Sequence, residues 1–189
     1  MMKKVAILIF QGFEEGATMA VVDVLRRGGV KCDLISAQDE QVASRNNVRV
    51  IADKLFDDSI KDYDMLVIPG VWPHVEVLTE NDKTAEAIRS FNSDPEKYLV
   101  GLCSATVALA KLGLVKGRRV TSYPAEKYDK WFTESDYSTD MIVVDDKLVT
   151  CRGPVTGFAL GYTLLDLLGE DGDVWRERML YNMLRASNF

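Results

Sequence analysis

The stretch Lys97-Tyr98-Leu99-Val100-Gly101-Leu102-Cys103-Ser104-Ala105-Thr106-Val107-Ala108-Leu109-Ala110 decides the fold. Tyr98 to Leu102 is a short apolar, β-branched run that suits a covered strand. Ala105, Ala108, Leu109 and Leu112 then recur at helical spacing and stop at Gly113. Cys103 therefore sits at a strand-to-helix joint. A tight turn of that kind projects its side chain from the carboxyl edge of a sheet, where ligands bind in open α/β folds. The start of the following helix offers unpaired N–H groups and a positive dipole end, which favour thiolate over thiol. Two readings of Cys103 follow: a reactive sulfur at the sheet edge, or a small buried hydrophobe, as most free cysteines are.

Working outward, the same strand-then-helix grammar repeats. Val5 to Phe10 is a continuous apolar run, as in a strand covered on both faces. After a turn at Gln11 to Glu15, the residues Ala17, Ala20, Val21, Val24 and Leu25 mark one helical face, which closes at Gly28-Gly29. Val30 to Ala37 completes a βαβ unit. Gln41 to Asp53 reads as a short hairpin around Asn46-Asn47, and Asp64 to Pro69 as the next buried strand, turning at Gly70-Val71-Trp72-Pro73. A helix over 81–91 follows, and past the elbow come a small strand at 119–122, a short helix at 124–131 and a hairpin-like pair at 141–144 and 147–151. Thr156 to Leu168 is an apolar helix, and a last helix at 173–186 is expected to dock a broad apolar face (Val174, Trp175, Met179, Leu180, Met183, Leu184) on the core or in a dimer interface. The whole is a three-layer, flavodoxin-like α/β sandwich with a mostly parallel sheet, expected to be one domain over 1–189.

Bulk properties narrow the function classes. The 189 residues are 47% hydrophobic and 28% charged, an ordinary globular composition. A net charge of −6 with scattered Lys and Arg gives no basic footprint for nucleic acid. The first apolar run is too short for a membrane span and has no cleavage site of a signal peptide, so no membrane partner and a cytoplasmic location are expected. Three cysteines without CxxC spacing argue against a disulfide framework and against zinc. No phosphate-cradling Ser/Thr/Gly loop follows Phe10, so no flavin, and no cofactor, is expected.

Five motifs stand in order: GFEEGAT after the first strand, VIPGV after a middle strand, GLCSATVALA at the elbow, VTSYPAEK, and VTCRGPVTGFAL. Together they resemble the DJ-1/ThiJ/PfpI family over essentially the whole chain. The resemblance implies a flavodoxin-like sandwich, usually a homodimer, with Cys103 as the reactive centre. Family members pair that cysteine with a glutamate from the first loop and often with a histidine from a later strand end. Here Ala17 stands at the glutamate position and Tyr123 at the histidine position. Alanine can neither donate a hydrogen bond nor shuttle a proton, and tyrosine, with a pKa near 10, is a poor base at neutral pH. The turn after the middle strand supplies amide donors in relatives. The matching groups here are Val71 and Ser104, with Gly70 making the turn.

Other groups could complete the site. His74, the only histidine, could serve as the base or be an ordinary surface loop residue. Glu14 could replace the missing acid if the loop is shifted; otherwise Glu14 and Glu15 complement the dipole of the following helix. Arg27, Arg45 and Arg152, with Arg26, could gather around a small anionic ligand or form surface ion pairs, and Arg152-Gly153-Pro154 could be a structural turn. Cys32 and Cys151 read as core thiols.

Two functions compete. In the first, Cys103 attacks a small electrophilic carbonyl or amide, as in a glyoxalase, deglycase or hydrolase. In the second, Cys103 is a non-enzymatic redox or stress thiol whose oxidation a partner reads. The partners expected are a small electrophile or oxidant. A glutamine amidotransferase is excluded because its base is a histidine downstream of the cysteine, and His74 lies upstream. The intracellular-protease and thiazole-phosphate associations of the family name find no support in these residues.

Overall fold

The computed structural model describes residues 2–71 and 75–187. The chain opens with β1 (Lys4–Ile9), whose residues Val5 to Ile9 are fully buried. Burial of each Val, Ile or Leu among them stabilises the fold by about 1.5–3 kcal/mol. Helix α1 (Glu15–Arg27) follows. Glu14 caps it, both carboxylate oxygens accepting backbone N–H bonds: from Gly16 at 2.8 Å and Ala17 at 2.9 Å. It ends at Gly28, and Gly29 takes a φ of 80° that releases the chain into β2 (Lys31–Ser36). A small hairpin, β3 (Gln41–Ala43) and β4 (Arg49–Ile51), turns through Asn47 in the left-handed region, as the Asn pair foretold.

The edge strand β5 (Lys54–Leu55) precedes β6 (Met65–Ile68), and α2 (Asp82–Ser93) starts where Asn81 Oδ1 accepts the Thr84 N–H. The elbow is β7 (Tyr98–Leu102) and α3 (Ala105–Lys111). Beyond it lie β8 (Arg119–Val120), α4 (Glu126–Asp129), β9 (Asp136–Tyr137), the hairpin β10 (Ile142–Asp145) and β11 (Leu148–Cys151), then α5 (Gly157–Leu167), α6 (Gly172–Arg178) and α7 (Tyr181–Ala186).

Seven strands form one sheet in the order β10-β11-β7-β6-β1-β2-β5, parallel except for β10. One face carries α1 and α5 over a core that includes Val21, Leu25, Leu160 and Leu164. The other carries α2 and α3 over Ile88, Phe91, Val107 and Leu109. This is the expected three-layer sandwich. Helices α1 and α5 approach closely because Gly157 and Gly161 have no side chain. A Cβ at Gly157 would sit 2.7 Å from Ala17 Cα, and one at Gly161 would sit 2.7 Å from Val24 Cβ.

Two expectations need correction. The strand at 119–122 is only two residues long and pairs with β9 in a separate small sheet, outside the central one. The single last helix is two short ones, broken at Leu180, whose φ of 60° is incompatible with a continuing helix. The break splits the apolar face. Trp175 and Met179 pack on the core while Leu180, Met183 and Leu184 stay exposed. Among the described residues no helix is long and apolar enough to cross a membrane.

Candidate functional site

The loops that leave the carboxyl ends of β1, β6, β7 and β11 meet over the sheet, and they enclose a cavity of about 230 Å³. Gly12, Glu14, Gly70, Cys103, Ser104 and Pro154 line it from those loops. Arg45 comes from the β3–β4 hairpin, and Tyr123, Ala125, Lys127 and Tyr128 from the segment around α4. The Arg45 backbone is fixed to the first loop by its N–H bond to the Phe13 carbonyl at 2.8 Å.

Cys103 is the elbow residue, and its φ is 55°. A non-glycine side chain in that region is strained by about 1–2 kcal/mol, a cost that persists only where the surroundings dictate the turn. The constraints are visible: Cys103 N–H donates to the Cys151 carbonyl at 2.8 Å, and its own carbonyl accepts the Tyr123 N–H at 3.3 Å. Gly70 lies directly alongside, where a Cβ would come within 3.2 Å of Cys103 Cβ and 3.5 Å of its sulfur. The glycine therefore makes room for the cysteine.

The electrostatics reverse the expectation of a ready thiolate. Burial pushes the Cys103 thiol up to about 12; the Ser104 amide hydrogen bond pulls it down, Cys151 and Glu14 push it up further, and Arg45 opposes them. The shift favours the thiol over the thiolate.

The remaining expected groups divide. Ser104 N–H does face the Cys103 sulfur. The Val71 N–H, expected as an oxyanion donor, is already engaged by Ser104 Oγ at 3.3 Å, and that hydroxyl also lies 3.3 Å from the Val71 carbonyl. Gly70 lines the cavity, but its carbonyl accepts the Glu14 N–H. Glu14 lines it as well, yet its carboxylate is committed to capping α1, so it is not a shifted acid. Ala17, buried, lies against Gly157 under α5 and does not line the cavity.

Tyr123 reaches the cavity rim and is 45% exposed. His74 lies outside the described residues. Of the arginines only Arg45 is at the cavity. Arg27 pairs with Asp23 along α1, Arg26 with Asp53, and Arg152 donates to Thr121 Oγ1 at 3.3 Å and the Ser138 carbonyl at 3.4 Å. Lys127 and Tyr128 are the groups that sequence reasoning passed over. Lys127 stands inside the VTSYPAEK motif, but only the one-turn helix α4 brings it to the cavity. Among the described residues no cluster of His, Cys, Asp or Glu could hold a metal ion.

A mostly parallel α/β sandwich with a strained cysteine elbow over a loop-built cavity is the class that fold and site define. The sequence model of the DJ-1/PfpI family matches residues 3–167, and the chain belongs to that family. Protein DJ-1 homolog B of Arabidopsis thaliana is 29% identical over 174 residues, covering 89% of this chain and 39% of that protein. The chain thus spans about two fifths of the length of the two Arabidopsis relatives it matches. A Schizosaccharomyces pombe protein named glutathione-independent glyoxalase DJ-1 is 23% identical over 174 residues, 87% of this chain and 91% of that one. The crystal structure of Drosophila melanogaster DJ-1beta matches with a TM-score of 0.87 at 27% identity, over 95% of this chain and 98% of that one.

Proposed function

We propose that Cys103 adds to a small electrophilic carbonyl compound, in the glyoxalase or deglycase range. The observation that carries this reading is the left-handed Cys103, strained in the lining of the 230 Å³ cavity. The name of the fission-yeast relative supports the same class of substrate. The sulfur forms a bond to the carbonyl carbon, the C=O π pair moves to oxygen, and the thiol proton ends on that oxygen, giving a hemithioacetal. A protonated thiol brings the proton this step needs. Rotation of Ser104 Oγ frees the Val71 N–H to meet the developing oxyanion.

The test is consumption of methylglyoxal by the wild-type chain and by Cys103→Ala. Turnover that falls to blank in the variant supports the reading; equal, near-blank rates remove it. A second reading, reversible oxidation of Cys103 read by a partner, is favoured by the described cavity lining, whose one carboxylate, Glu14, caps α1 while Ala17 is enclosed. Family membership supports a homodimer for either reading. Light scattering should return twice the chain mass of 21.2 kDa.

A further inference from the structure

The second thiol near the elbow has no part in carbonyl addition. Cys151 ends β11 and pairs in register with Leu102, the residue just before Cys103. Side chains alternate along a strand, so a regular continuation would turn Cys103 away from the face that Leu102 and Cys151 share. The left-handed φ of Cys103 breaks the alternation, and its side chain packs against the same core cluster that contains Cys151.

The backbones are tied directly: the Cys103 N–H donates to the Cys151 carbonyl at 2.8 Å and also interacts with the Cys151 sulfur. The strand spacing of about 4.8 Å separates Cys151 from its register partner Leu102, and one further residue of rise, about 3.3 Å, puts the Cys103 Cα roughly 6 Å away, within the roughly 4.4–6.8 Å Cα window of a disulfide. Thr156 Oγ1 lies 3.0 Å from the Cys151 sulfur and donates to the Gly153 carbonyl at 2.6 Å, which fixes the thiol at the end of β11. Cys32, the remaining cysteine, lies in β2, beyond β6 and β1 in the sheet order.

Among the described residues that line the cavity the one carboxylate is Glu14, both of whose oxygens serve α1, and Ala17 packs under α5. Cys151, tied to the Cys103 backbone, is the thiol placed to consume a sulfenic acid there.

We propose that Cys103 and Cys151 are an oxidisable dithiol that closes to an intramolecular disulfide under peroxide. In the first step the Cys103 sulfur attacks a peroxide oxygen, the O–O bond breaks, and the other oxygen leaves as water or alcohol with the thiol proton. In the second, the Cys151 sulfur attacks the sulfenic sulfur, an S–S bond forms, the S–O bond breaks, and hydroxide leaves as water with the second thiol proton. Two thiols supply the two electrons that reduce one peroxide. Carbonyl turnover is not involved, so this inference and the proposed function stand or fall separately. Because burial keeps both thiols protonated, the first step is slow at neutral pH and accelerates as the Cys103 thiolate fraction grows, about tenfold per pH unit.

Hydrogen peroxide titration of the wild-type chain between pH 7 and 9, read by non-reducing intact mass and a peptide map, tests the pair. The expected product has lost about 2 Da, links the Cys103 peptide to the Cys151 peptide within one chain, and reverts under dithiothreitol. Cys151→Ala should instead carry Cys103 on to sulfinic acid, a gain of about 32 Da. The wild-type measurement needs no variant to fold. Sulfinate on wild-type Cys103 without the crosslink, a link to Cys32 or between chains, or a thiol pair unchanged at saturating peroxide would each overturn the proposal.

Discussion

Replacing Cys103 by alanine and by glycine isolates the elbow strain from the sulfur. Both variants delete the thiol; they differ in the Cβ that the left-handed φ of 55° places close to backbone. Alanine keeps a penalty of about 1–2 kcal/mol in that region. Glycine removes it, but is more disordered when unfolded by about 0.4–1 kcal/mol. The difference leaves Cys103→Gly more stable than Cys103→Ala by about 0.5–1 kcal/mol. That reverses the ordinary order, in which alanine exceeds glycine by roughly the same amount inside a helix or strand. Urea denaturation of the two variants side by side reads the difference as a shift in midpoint at constant slope, and melting should separate them by about 2 °C for a chain of this size. An alanine variant as stable as the glycine one, or more so, would show that residue 103 is not held left-handed. The elbow argument for a functional cysteine would then fail.

Iodoacetamide labelling of Cys103 should accelerate about tenfold per pH unit from pH 7 to 10 without a plateau, because burial raises the thiol to about 12; a plateau near or below pH 8.5 would show an activated thiolate instead. The same shift has a stability consequence. The folded chain holds protons on Cys103 and Cys32 up to about 12, against an ordinary 9.0. The resulting stability is complete below pH 9 and is lost as pH rises from 9 towards 12. Denaturation midpoints that stay flat through that window would contradict it. Gly157→Ala should destabilise by about 1–3 kcal/mol through overpacking against Ala17, and an unchanged melting temperature would deny the close helix contact. Ser104→Ala should cost about 1–2 kcal/mol and hasten hydrogen exchange at the Val71 amide, which loses its partner; unaltered exchange would mean that Ser104 does not occupy that donor.

The sequence by itself determined the layers and the elbow, because both rest on local periodicity. Apolar runs such as Val5–Ile9 and Tyr98–Leu102 alternate with helical faces, and Asn47, Gly29 and Gly113 supply the left-handed turns where they were expected. Motif order sufficed for the family. Leu180 gave no such signal: an apolar residue in a helical pattern carries no mark of a left-handed break, so one expected helix became two.

The site was legible in outline only. Cys103, Gly70 and Ser104 fell where expected because they sit at strand ends. What only the tertiary structure decided was how those groups are engaged. Glu14 spends its carboxylate on amides of its own helix, and Ser104 covers Val71. Arg27 and Arg152 turn to nearer partners, and Lys127 arrives from a distant turn. Desolvation likewise depends on everything packed around a group, so no reading of the elbow alone could show that burial raises its thiol, or that Cys151 lies beside it. Local pattern fixes which residue stands at the turn; its charge state and company are properties of the assembled core.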